Sequence, residues 1–147
     1  MGEILFTTKK TNMAYLIYGI IESLIFAGIG IYFLSLRDNL ISAWNYSAAE
    51  TMQTCSTVFL ILAAVNVMYK AMSSATFADV YNDKIVGKGI QKLAFKEFDL
   101  DYQQISDISV SHNYLSINTA AGTYKVVASQ ARSKEIFAFY NHKKTAG

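Results

Sequence analysis

A chain of 147 residues that is 52% hydrophobic, 16% charged and carries a net charge of +2 is neither a wholly lipid-buried protein nor an ordinary soluble domain. Its mild charge lacks the clustered basic face of a nucleic-acid binder. The one cysteine, Cys55, excludes an intramolecular disulfide and reads as a small hydrophobe in an apolar run.

The composition is segregated along the chain. The long apolar runs precede Met72, whereas eight of the eleven lysines follow it. Proline is absent, so nothing forces a kink in an apolar helix.

Residues 1–12 read as a cytoplasmic tail, and the first membrane helix is expected over 13–36. Its apolar stretch, 14–36, is interrupted only by Glu22, Ser23 and Ser35. Twenty-three residues at about 1.5 Å each span roughly 35 Å, enough for a hydrocarbon core of about 30 Å. The stretch is too long for the h-region of a cleaved signal peptide, about 7–15 residues. The small residues of YSAAE, at 46–50, lie too far downstream for its cleavage. Residues 37–51 are expected to form a short extracytoplasmic loop, and 52–72 the second membrane helix. Lys70, near the end of that helix, is expected to snorkel toward the headgroups.

Lys9 and Lys10 precede the first helix and Lys70, Lys84 and Lys88 close the second, while the loop holds Arg37 alone. That asymmetry places both termini in the cytoplasm and the protein in a plasma membrane. Trp44 and Tyr46 suit the outer interface.

Glu22 is expected about 12 Å inside the first helix, and Asn66 about 9 Å inside the second. In an antiparallel hairpin the two meet at similar depth, where a neutral acid hydrogen-bonded to the amide is the cheaper state. Gly19, Ser23 and Ala27, with Gly30 a turn further on, form a small-residue stripe that lets helices approach closely. Two readings compete. Glu22, Asn66 and the stripe form a packing seam, within one chain or between subunits. Alternatively, Glu22 and Asn66 serve a small channel, transporter or immunity subunit, since ionisable groups in a membrane are functional candidates. A lone acid with no second acid, His or Arg at its depth makes a thin pathway, which favours packing.

Beyond Met72 the periodicity falls to two, and 73–147 reads as one cytoplasmic domain. DISVSH (107–112) turns Ile108 and Val110 to one side, and YLSINT (114–119) does so with Leu115 and Ile117. His112-Asn113 is the tight turn between them, AAG (120–122) is the next, and TYKVVA follows with Tyr124 and Val126 inward. Upstream, TFADVYN and KIVGKG flank a turn at Asn82-Asp83. In LAFKEFDLD the apolar phase slips between Phe95 and Phe98, which predicts a bulge or strand break. Ser129 is a candidate N-cap for a final helix whose stripe is Ile136, Phe139 and Tyr140, with His142, Lys143 and Lys144 at its cationic end.

The expected fold is therefore α+β: a two-helix transmembrane hairpin, then a small antiparallel barrel or sandwich capped by a C-terminal helix. Residues 75–141 resemble the bacterial pleckstrin-homology-like (PH-like) family. The features that carry the resemblance are the hairpin ending near GKG, a strand running into DYQQISDISV, the LSINTAAGTYKV hairpin and the closing helix. Two preceding membrane helices are similar to that family's membrane-bound members. The resemblance implies a non-enzymatic interaction or scaffolding module, often self-associating, with membrane lipids and membrane proteins or its own copies as partners.

Lys84, Lys88, Lys92 and Lys96 recur every fourth residue, and the resemblance suggests contact with anionic lipid, hence a lipid sensor as a further alternative. The competing reading is a solvated strand face, with Glu97, Asp99 and Asp101 nearby to offset the attraction. GKG lacks P-loop spacing, and Gly87 and Gly89 more simply permit a sharp turn or bulge. The alternating acids do not match a calcium loop. His112 and His142 have no neighbouring ligand in sequence, and no nucleophile motif supports a Ser–His–acid triad. No catalytic, cofactor or metal site is expected, and no nucleic-acid partner.

Overall fold

Residues expected to form a tail open the sheet instead. In the computed structural model, which describes residues 2–9 and 12–147, strand β1 (Phe6–Thr7) pairs antiparallel with β2 (Phe77–Val80), Phe6 opposite Val80 and Thr7 opposite Asp79. Two residues carry no period-two signal, so this strand was invisible to the pattern. Lys10, used above for orientation, lies outside the described residues.

The chain forms two units. One comprises 16–71. The other joins the residues up to Tyr15 with Met72–Gly147, so the chain leaves the sheet unit to build the helices and then returns to it.

Helix α1 covers Asn12–Ser42 and α2 Tyr46–Ser74. Both outrun their expected bounds, and the loop expected over 37–51 narrows to a turn at 43–45. Trp44 adopts φ 61° there, and Ala48 N donates to Asn45 Oδ1, capping α2. Polar residues such as Arg37, Asp38 and Gln53 ended the hydropathy pattern without ending the helices. Each helix is long and apolar enough to cross a membrane, and only 17% and 11% of their most apolar windows are buried within the chain.

The sheet unit adds β3 (Lys84–Gln91), β4 (Ala94–Asp101), β5 (Ile105–Val110), β6 (Tyr114–Thr119), β7 (Gly122–Val127) and α3 (Gln130–Ala146). These give a seven-stranded, curled antiparallel sheet of order β1-β2-β3-β7-β6-β5, with β4 along β3. The turns expected at Asn82-Asp83 and His112-Asn113 fall between strands, and the one expected over 120–122 shortens to 120–121, with Gly122 opening β7. The break expected in β4 does not occur: it pairs with β3 without interruption from Ala94↔Gln91 to Asp101↔Lys84. Phe95 simply takes the face opposite Phe98. The register shift lies instead in β5, between Ile105 and Asp107. Gly87 and Gly89 sit inside β3 rather than at a turn. A Cβ on Gly87 would strike the Phe77 carbonyl oxygen and come within 2.8 Å of the Phe98 ring, so the tight curl needs the bare backbone. The reversal falls at Lys92 and Leu93, with φ 48° and 66°.

The core follows the alternation. Ile85, Ile108, Leu115, Ile117 and Val126 are fully buried under Ile136 and Tyr140 of α3. Arg132 N donates to Ser129 Oγ at 3.3 Å, which makes Ser129 the expected N-cap. The Tyr140 hydroxyl donates to Ile105 O at 2.8 Å.

A buried polar knot holds the helix ends of this unit. Ala78 N donates to Thr8 Oγ1 (2.9 Å) and Val127 N to Thr76 Oγ1 (2.9 Å). Asn12 Nδ2 donates to Ser74 O and Thr76 O. Asp79, 6% exposed, receives Thr7 Oγ1 at 2.6 Å and Lys9 Nζ at 2.8 Å. The Tyr15 and Tyr114 hydroxyls share a hydrogen bond at 2.8 Å.

Candidate functional site

The site grows from how α1 and α2 approach each other. On α2, positions 49, 52, 56, 59, 63, 66 and 70, alternating by three and four, are all withdrawn from the surface, with Ala48, Cys55 and Val67 flanking them. That spacing is the seam of a coiled pair. Ala49, Ser56 and Ala63 supply small residues every seven positions, a row that sequence reasoning overlooked because the surrounding apolar residues hid it. Facing them on α1, Gly19, Ser23 and Gly30 are buried and Ala27 half-buried, as the small-residue stripe predicts. At Gly19 a Cβ would lie 2.5 Å from Lys70 Cγ, and at Gly30 2.9 Å from Leu60 Cγ. Phe26 and Phe33 close the seam against Phe59, with centroids 6.3 and 5.7 Å apart.

Within this seam the structure brings Glu22 and Asn66 together and adds a third group. Asn66 Nδ2 reaches Ser23 Oγ at 3.1 Å, Glu22 Oε2 at 3.4 Å and Gly19 O at 3.4 Å. Lys70 Nζ stands 3.6 Å from the same Glu22 oxygen and 5.5 Å over the Tyr18 ring. Lys70 therefore turns inward across Gly19, opposite to the snorkelling expected of it. The acid thus has a basic side chain beside it that the sequence reading did not place there. The missed signal was the spacing Asn66-x-x-x-Lys70, which sets both on one helical face. Chemically the cluster sets an ion pair beside an amide hydrogen bond on the same carboxylate oxygen, and 34% of the Glu22 side chain stays exposed.

The four lysines of the second candidate site are not one surface. Lys84 and Lys88 share a face of β3 and lie opposite Asp101 and Glu97 of β4. Lys92 occupies the turn, and Lys96, opposite Gly89, belongs to the other face. A repeat of four cannot keep one face when the strand reverses between its second and fourth members. Lys84 Nζ donates to Asp99 Oδ2 at 2.9 Å, which holds the ammonium above its ordinary pKa.

Tyr102, in the turn between β4 and β5, donates to Tyr81 O at 2.5 Å. Burial, helped by the charge of Asp83, pushes its phenol up to about 12. Among the described residues no three His, Cys, Asp or Glu side chains gather as metal ligands. Compared with known families, curated proteins and solved structures, the chain matches none.

Proposed function

We propose that the protein is a membrane-anchored, non-enzymatic interaction module, with α1 and α2 crossing the bilayer as a hairpin and a PH-like sheet domain at the cytoplasmic face. The observation that carries this is the return of the chain. β1 precedes α1 and β2 follows α2, and the two strands pair in one sheet. A hairpin so connected has both flanks on one side of the membrane, in keeping with Lys9 on that side and Arg37 alone toward the far end of α1. The exteriors of the helices support insertion: Ile17, Ile21, Leu24, Ile25, Ile61 and Val65 are all at least 42% exposed and need a hydrocarbon neighbour. The outer edge of β4, eight residues with no strand beside it among the described residues, offers a place for a partner strand. Lys70 beside Glu22 favours packing over transport, because the pair neutralises the one acid that a pathway would use.

The test is cysteine accessibility in intact and inverted vesicles, combined with cross-linking and mass spectrometry. Cysteines at Glu3 and Thr145 should be labelled only from the cytoplasmic side, and one at Ser47 only from the other. Labelling of Glu3→Cys and Thr145→Cys from opposite sides overturns the reading.

A further inference from the structure

We infer that the Glu22 side of the α1–α2 hairpin is a contact face between two copies of this chain, each copy's Tyr18 or Tyr69 phenol donating to the other's Glu22 carboxylate. The inference rests on the membrane-spanning reading above.

Glu22 commits only one oxygen within its own chain. Oε2 faces both Asn66 Nδ2 and Lys70 Nζ, while Oε1 receives no hydrogen bond among the described residues. Tyr18, one turn earlier on the same helix, is 56% exposed, and Tyr69 beside Lys70 is 44% exposed. Neither hydroxyl has a hydrogen-bond partner among the described residues, although the Tyr18 ring lies beneath Lys70. One free acceptor and two free donors thus open from one stretch of the hairpin. Their surroundings are hydrocarbon: Ile21, Ile25, Val65 and Met68 are all exposed. In lipid such groups have no water to bond to and seek partners in protein.

A second copy is the occupant whose chemistry fits without further assumption. Rotation about a two-fold axis parallel to the helices sets acceptor against donor on both sides at once. It also sets the Glu22–Lys70 pair of one copy, negative on α1 and positive on α2, against the reversed pair of the other. A lipid headgroup reaching the same oxygen would need no second chain, which makes it a separable outcome.

Disulfide trapping in vesicles, with Cys55→Ser throughout, tests this. Ile25 lies about 60° around α1 from Glu22, on the Tyr18 side, and Ile20 about 160° away. The expected result is covalent dimer from Ile25→Cys and little from Ile20→Cys. Adding Tyr18→Phe and Tyr69→Phe should lower the trapped fraction at least tenfold while thermal unfolding is unchanged. Equal trapping at both positions, indifference to the Tyr→Phe changes, or a single-chain mass in nanodiscs overturns the inference. A monomer retained in vesicles after carbonate washing, with headgroup exchange altering Glu22, assigns the oxygen to lipid. Release of the chain by carbonate refutes the membrane reading instead, so the two failures are distinct.

Discussion

Replacing Lys70 with Met leaves the Glu22 carboxylate without its countercharge, and the cost follows from the geometry. At 3.6 Å two unit charges attract by about 4–5 kcal/mol in an effective dielectric near 20. Removing one member of a buried pair typically costs about 3–5 kcal/mol, because the other stays desolvated. Glu22 opens partly outward, which places each single change, Lys70→Met or Glu22→Leu, near the lower end, about 3 kcal/mol. The double variant removes both charges, leaves an apolar seam of similar volume and should lie within about 1 kcal/mol of the parent. The assay is denaturant titration of the full chain in dilute mixed micelles, read as a double-mutant cycle. Single costs that simply add, with coupling below about 0.5 kcal/mol, would refute the idea that the cluster works as an ion pair.

Thr8→Val strips the acceptor from the buried Ala78 N–H and should cost about 1–3 kcal/mol, seen as a lower melting temperature of the sheet unit. No loss would mean that the N-terminal segment is not part of that fold. Gly87→Val forces a side chain against the Phe77 carbonyl and the Phe98 ring and should destabilise by at least about 1–3 kcal/mol, the usual range for overpacking; a neutral result would show that the sheet is less tightly curled. Alkaline difference spectra should show one phenol titrating near 12, absent in Tyr102→Phe. The folded state holds that proton more tightly than the unfolded chain, so Tyr102 adds stability that is fully present below the ordinary phenol value and lost as pH climbs toward 12. A complete titration of all tyrosines near the ordinary value would contradict its burial.

Much of this protein is legible from local pattern. Both apolar helices, the meander through Ile108, Leu115, Ile117 and Val126, and the Ser129 cap are all dictated by side-chain period and by capping chemistry within a few residues. The small-residue stripe on α1 was legible for the same reason, since Gly19, Ser23 and Gly30 repeat at helical spacing. The pairing of Glu22 with Asn66 followed from counting depth along two antiparallel rods of fixed rise.

What the sequence could not settle is where partners lie far apart along the chain. β1 is two residues long and exists only because β2, some seventy residues later, offers it an edge. Lys70 looked like a headgroup lysine until a glycine opposite let its stem cross the seam to Glu22. The lysine repeat lost its meaning when β3 reversed into β4 and sent Lys96 to the other face. Local spacing fixes which way a side chain points from its own backbone; only the packed chain decides what waits there to meet it.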